Sequence, residues 1–365
     1  MNYIKQLDSL RGIAAILVLI THWIPSAQLR HRIPFGELGV DLFFVLSGFL
    51  ISRILLENRS AADAGLYSRR SIIKQFYLRR SLRIFPIYYL TIFTVLYFSE
   101  FTQTRVQIAF PWYASYTANW FIFYRGWDGI MSHLWTLSVE EQFYIIWPWV
   151  LLFSPKRWLP FLIGGFIVTG VLSNYLVAHR PLGSVLTFTC FDAFGMGALL
   201  AWIEQPGRDR IKKALPYLSI AAIVSVVLFA VGFWRFKYDI FPLRTLFAAM
   251  ALWLIAFIVY NGQEGKLRGK WILENKTLIF LGKISYGMYL YHNFIPLLNK
   301  YMINAWLDPI LPDFMVPHLR LLHLLQSLGV LILLSWLSFV LIEKKFLGLK
   351  RYFEYSTEPR KGLES

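Results

Sequence analysis

Residues 106–124 read VQIAFPWYASYTANWFIFY, nineteen positions without a Lys, Arg, Asp or Glu. A helix of that length would cross roughly 30 Å of hydrocarbon. Whether this stretch crosses decides the fold. Apolar runs also recur near 12–26, 38–56, 84–101, 132–153, 158–178, 184–204, 214–233, 240–260, 278–298 and 319–342. If 106–124 stays out, these make ten spans and both chain ends lie on one side. The segments on that side then hold 27 of the 37 Lys and Arg residues: Lys5 and Arg11, eight between Arg53 and Arg83, and those within 156–157, 208–213, 266–283 and 344–361. If 106–124 crosses, every later basic cluster changes side, against the tendency of Lys and Arg to stay cytoplasmic. The expected fold is all-α: a polytopic membrane protein of ten transmembrane helices with both termini cytoplasmic. Residues 102–131 are then an aromatic segment outside the membrane, lying at its interface.

The rest of the composition agrees. Of the 365 residues 57% are apolar and 16% charged, with a mean hydropathy of +0.50. A net charge of +16 would suggest nucleic acid in a soluble protein. Here topology accounts for it, so the expected surroundings are a lipid bilayer and no nucleic acid. The lone Cys190 can form neither an intrachain disulfide nor a thiolate metal site, and no His pair stands at zinc spacing, so no metal is expected. The opening MNYIKQLDSLRGIAAILVLITHW carries Asp8 and Arg11 just before its apolar run and no small-residue cleavage site after it. It reads as a retained span rather than a leader. No internal repeat or low-complexity tract interrupts the chain. The expected organisation is a membrane domain over 1–346 and a cytoplasmic C-terminal tail over 347–365.

Ionisable groups inside a membrane are costly, and three sets stand out. In the first span Asp8, Arg11, Ala15, Val18 and His22 follow 3, 4, 3 and 4 spacing and share one helical stripe. Arg11 then lies near the cytoplasmic mouth and His22 about 16 Å further along the axis. A neutral imidazole there can take a proton from an attacking hydroxyl; the blander alternative is a histidine bonded to a neighbouring helix. The second set is SRRSIIKQFYLRRSLRIFPIYYL, where Arg80 and Arg83 share a helical face and present forked donors suited to phosphate. Lipid headgroups and topology are the competing explanation. No Gly-rich phosphate loop is present, so side chains would hold any phosphate.

The third set is SHLWTLSVEEQFYIIWPWVLL, which places Glu140 and Glu141 in the outward half of the fourth span. His133, Glu140 and Tyr144 are spaced 7 and 4 and are expected on one face, while the adjacent glutamates cannot share it. Weaker candidates are Asp41 in GVDLFFVLSGFLI, Asp192 in TCFDAFGMGALLA, and Ser285, Tyr286, Tyr289 and His292 in LGKISYGMYLYHNF. In these spans Gly and Ser are more often packing positions.

Taken together and in order, LDSLRGIAAILVLITH, GVDLFFVLSGFLI, YLRRSLRIFPIYYL, HLWTLSVEEQFYIIWP and ISYGMYLYH resemble the acyltransferase-3 family over Tyr3 to about Phe346. Those are bacterial inner-membrane proteins that acylate surface carbohydrates and other acceptors. The family's Arg-to-His pattern falls on Arg11 and His22, its paired arginines on Arg80 and Arg83, and its Ser-x-Glu-Glu-Gln-Phe segment on Ser138 to Phe143. Its ten-helix fold matches the count from charge. Phe191 stands before Asp192 where the family often has Arg, so Asp192 is assigned no role. Some members carry a C-terminal esterase-like domain; this chain runs to Ser365 without one, the form expected of a stand-alone member.

The resemblance and the residues together lead to an O-acyltransferase that moves an acyl group, with acetyl as the family's usual choice, from cytoplasmic acyl-CoA to a hydroxyl of a surface carbohydrate or its lipid-linked precursor. In this reading His22, Glu140 and Glu141 are catalytic, and Arg11, Arg80 and Arg83 hold the CoA phosphates. Asp8, Asp41, Trp135, Tyr144, Tyr289 and His292 line the substrate path. The arginines are expected to serve the donor on one side and the glutamates the acceptor on the other. The rival class is a carrier or flippase of a lipid-linked or anionic substrate. Transporters often show paired halves with helices broken at matching positions, and the sequence shows no such pairing.

Overall fold

The computed structural model describes residues 3–24, 33–102, 106–127, 129–177, 180–205, 208–235, 242–264 and 269–353. All regular structure there is helical, and no strand occurs among the described residues. In chain order the principal helices are α1 Lys5–Trp23, α2 Phe35–Asp63, α3 Arg69–Tyr97, α4 Val106–Ala114, α5 Ala118–Arg125, α6 Trp135–Phe153 and α7 Leu159–Val177. There follow α8 Phe191–Glu204, α9 Arg208–Arg235, α10 Leu243–Glu264, α11 Lys276–Lys283, α12 Ser285–Tyr291, α13 Ile295–Asn299 and α14 Leu319–Ser338. Five helical runs among the described residues, Phe35–Asp63, Lys156–Val177, Asp209–Gly232, Leu243–Gly262 and Phe314–Phe353, are long and apolar enough to cross a bilayer. The protein is a multi-pass membrane protein. The basic cluster at 266–268 and most of the 347–365 tail lie outside the described residues.

Two stretches expected as simple spans differ. The 184–204 run is helical as α8 only from Phe191, after short 3-10 turns at Gly183–Val185 and Thr187–Cys190. The 278–298 run is divided into α11, α12 and α13, with Ile284 between the first two at φ −95°, ψ 5°. Serine hydroxyls take up freed carbonyls at such breaks, and here Ser285 Oγ donates to Gly282 O at 2.8 Å. The deciding stretch 106–124 is broken as well. Tyr116 has φ +55°, in the left-handed region, and separates α4 of nine residues from α5 of eight. At 1.5 Å per residue each reaches only about 14 Å or less, half of a hydrocarbon core.

The chain divides into two compact units. The first comprises Met1–Val40, Ile87–Thr136 and Arg268–Lys344; the second comprises Asp41–Pro86, Leu137–Leu267 and Lys345–Ser365. In the first, α1 lies directly on α11: a Cβ on Gly282 would stand 1.8 Å from Asp8 O, so only glycine permits the crossing. Ser9 Oγ donates to Leu273 O at 2.7 Å, and Glu274 accepts from Lys5 Nζ at 2.9 Å and Gln6 Nε2 at 3.0 Å. Leu19, Ile284, Met288, Ile295 and Leu331 form the apolar core beneath. Tyr88 Oη donates to Tyr113 O at 2.8 Å and Tyr89 Oη to Ala114 O at 2.9 Å, which fixes α4 onto α3.

In the second unit α2 and α8 meet backbone to backbone, since a Cβ on Gly197 would stand 2.1 Å from Val45 O. Phe143 stacks on Phe194 at 4.2 Å between ring centroids. Part of the basic segment 53–83 is consumed by structure. The buried Arg59 guanidinium donates to Leu151 O and, at 2.6 Å, to Ser154 O, meeting the orphan carbonyls at the end of α6. Arg53 pairs with Glu204 at 2.9 Å, and Asp63 with Arg69 at 2.7 Å and Lys156 at 2.9 Å.

Candidate functional site

The C-terminal turn of α1 presents His22 beside two further histidines of the same unit. Its ring meets that of His292 edge to face at 4.8 Å, and His292 meets His133 in the same way at 4.6 Å. The three imidazoles form a row with His292 in the middle, fully buried. His22 Nδ1 lies 2.9 Å from Val18 O, one turn back. A carbonyl only accepts, so Nδ1 carries the hydrogen and the neutral ring keeps its lone pair on Nε2. His292 Nδ1 likewise donates to Tyr289 O at 2.6 Å, and its Nε2 has no hydrogen-bond partner among the described residues. His133 has Ile130 O 2.9 Å from Nδ1, Leu290 O 3.1 Å from Nε2 and the Asn293 amide 3.1 Å from Nδ1. Tyr289 Oη donates to His133 O at 2.8 Å and meets Thr136 Oγ1 at 2.6 Å, while Trp23 Nε1 donates to His292 O at 2.9 Å.

His22 also lines a cavity of about 820 Å³, together with Trp23, Lys300, Asn304, Arg320 and His323. That volume suits a ligand of one or two sugar rings. The imidazole thus has one edge on the histidine row and is exposed on the cavity side.

In the second unit the arginine motif and the glutamate motif meet. Tyr144 Oη donates to Glu140 Oε2 at 2.9 Å, Ser47 Oγ donates to Glu140 Oε1 at 3.0 Å, and the Arg80 guanidinium lies 4.0 Å over the Tyr144 ring. This corrects the expected division between arginines on one side and glutamates on the other. α3 is a continuous helix of 29 residues, so Arg80 lies well inside it rather than at the entry to a span that begins near 84. Glu141 is buried on another face of α6, and its Oε1 has no hydrogen-bond partner among the described residues. Asp41 is ion-paired with Arg244 at 2.8 Å; Arg244 Nη1 also donates to Ser184 O at 2.8 Å. Asp192 accepts from Thr245 Oγ1 at 2.5 Å and Ala193 N at 2.8 Å, a role within the fold.

Asp8 and Arg11 remain on α1, paired at 3.5 Å, and Tyr3 donates to Asp8. Trp135 is the half-buried first residue of α6. The expected common face of His133, Glu140 and Tyr144 holds only for the last two. His133 lies in the 3-10 turn Gly129–Leu134 before α6 begins, so α-helical spacing cannot be counted from it. Its partners are Tyr289, His292 and Asn293, a grouping the sequence did not suggest. Arg244 was also missed. The signal was an arginine that is the single charged residue of the apolar run 240–260.

The first unit thus carries a histidine row beside a cavity, and the second buried carboxylates with a stacked arginine, on a multi-helix membrane fold. The chain belongs to the acyltransferase-3 family, whose sequence model, described as an acyltransferase domain, matches residues 4–342. It is 31% identical over 346 residues to the peptidoglycan O-acetyltransferase OatA of Listeria monocytogenes, covering 84% of this chain and 52% of that protein. It is 29% identical over 342 residues to the O-acetyltransferase OatA of Staphylococcus aureus, covering 83% and 52%. The chain therefore spans about half the length of these curated relatives. No solved structure matches it significantly.

Proposed function

We propose that the chain transfers an acetyl group from cytoplasmic acetyl-CoA to a hydroxyl of a cell-envelope carbohydrate or its lipid-linked precursor. It does so in a bacterial inner membrane, with ten spans and both termini cytoplasmic; residues 1–346 form the membrane domain and 347–365 a cytoplasmic tail. Family membership and relatives named as O-acetyltransferases support the reaction class. The observation that carries the residue assignment is His22, with Nδ1 tied to Val18 O and its ring on the cavity wall.

In this reading Nε2 of His22 takes the proton of the acceptor hydroxyl as its oxygen attacks the thioester carbonyl. The tetrahedral adduct expels the CoA thiolate, which takes the proton back from the imidazolium, giving the ester and CoA thiol. His292 and Tyr289 hold the His22 ring in place. Arg80 and Arg83 take phosphates of the donor, with Arg80 positioned by Tyr144 and Glu140; Glu141 Oε1 offers an acceptor to a substrate hydroxyl. Arg11, Asp8 and Trp135 line the substrate path, while Asp41 is taken up by its buried ion pair with Arg244.

The test is transfer of radiolabelled acetyl from acetyl-CoA by the purified full chain. His22→Ala should cost about 10²- to 10⁴-fold, the usual share of a general base. A folded His22→Ala variant with near-normal turnover would overturn the assignment.

A further inference from the structure

The cavity beside His22 carries a charge that the family reading does not require. Lys300 and Arg320 line it with His318 and His323, and no Asp or Glu is among its described lining residues. Among the described side chains, Asp308 lies next to this lining, 2.8 Å from His323 Nε2. Asn304, only 9% exposed, is also on the wall, and its Oδ1 has no hydrogen-bond partner among the described residues.

Topology does not account for these cations. In the ten-span reading, 299–318 lies on the outer side, where basic residues are depleted. Positive side chains there, around a concave space, have the composition of an anion subsite.

We propose that this cavity binds the acceptor, and that the acceptor is an anionic carbohydrate. Its carboxylate or phosphate pairs with Lys300 and Arg320 while its ring lies along the wall that carries His22 and Asn304. The inference rests on the reading of His22 as the acceptor-side base. It adds a selection rule: a neutral sugar of equal size gains no ion pair with Lys300 and Arg320, which are exposed at the cavity, and binds more weakly.

The experiment is calorimetric binding of three probes to the purified full chain in nonionic detergent at low salt: methyl glucuronide, glucose 1-phosphate and methyl glucoside. At least one anionic probe should bind about tenfold or more tightly than the glucoside, the factor expected of one charge-assisted contact. Which of the two prevails identifies carboxylate or phosphate as the recognised group. Arg320→Gln and Lys300→Gln should each weaken the anion about tenfold and leave the glucoside unchanged. Arg320→Lys, which keeps the charge, should recover part of the loss and guards against a folding defect. Equal binding of all three probes, no binding of any probe, or undiminished anion binding in the double Gln variant would each overturn the proposal. His22→Ala should bind the anion normally and fail in transfer. If it transfers normally while anion binding still depends on Arg320, the catalytic assignment fails and the anion subsite stands.

Discussion

His22 and His292 meet edge to face with ring centroids 4.8 Å apart, and each ring sets its Nδ1 hydrogen on a carbonyl of its own helical segment. Both tautomers are thereby fixed by backbone. The edge contact limits rotation of His22 in the last turn of α1. His292→Phe keeps a ring in this position and removes its nitrogens. The expected result is normal folding with acetyl transfer lowered modestly. His292→Ala, which opens space beside His22, should lower kcat by about tenfold or more through misplacement of the base. Steady-state kinetics of the two variants checks this; equal loss in both would assign His292 a chemical part instead of a positioning one.

Arg80, Tyr144 and Glu140 form a chain of contacts, so their effects should not add. Arg80→Ala and Glu140→Gln are each expected to weaken acetyl-CoA binding, and the double variant to lose less than the sum. A coupling of about 0.5 to 3 kcal/mol is typical of residues in one network. Calorimetry on the four proteins of the cycle measures it. Strict additivity would mean that Arg80 is held by something other than Tyr144 and Glu140.

Asp41 is 1% exposed and paired with Arg244 in the second unit. Removing the guanidinium strands a buried carboxylate, a defect that costs about 3 to 5 kcal/mol. Arg244→Ala should therefore lower the thermal midpoint sharply. Adding Asp41→Asn to it should restore part of the loss, because an amide tolerates burial better than an anion. A thermal-shift assay in detergent reads both.

Glu274 lies between the short helical turn Lys270–Leu273 and α11. Hydrogen bonds from Lys5 and, less strongly, Gln6 hold its carboxyl below the usual carboxylate range. A carboxylate with a lowered folded-state pKa adds stability above its unfolded pKa of about 4.3, and this is lost as pH falls through the folded value. Glu274→Gln should thus be slightly less stable than the parent at neutral pH. The two should converge as pH falls below about 4, the carboxylate range. Melting curves from about pH 7 down to about pH 3 test the sign; a gap that widens on acidification would contradict it.

The ten-span reading predicts that residues 102–131 stay outside. Single cysteines at Ser115 and Arg125, in a Cys190→Ser background, should each react with an impermeant thiol reagent in spheroplasts. Labelling at one site and protection at the other would mean that the stretch crosses, and the side assigned to every later loop would reverse.

The helical membrane fold was legible in the chain alone, and so were the charged residues proposed for the site. Apolar run length and the one-sided distribution of Lys and Arg are properties of the chain in a bilayer, and they need no tertiary contact to be read. The helix-long stripe from Asp8 to His22 was legible for the same reason: 3.6 residues per turn is local geometry. What failed was every argument that carried a local period past a break. The phase from Glu140 did not reach His133, because a 3-10 turn intervenes, and the run at 278–298 hid two interruptions that turn His292 toward His133. Only tertiary structure joined Arg80 to Tyr144, Asp41 to Arg244, and His22 to Lys300 and Arg320 around one cavity. Those partners are separated by 64 to 298 positions in sequence. Hydrophobic patterning states that a helix is buried, but the direction in which its few polar side chains point is settled by the packing of whole helices.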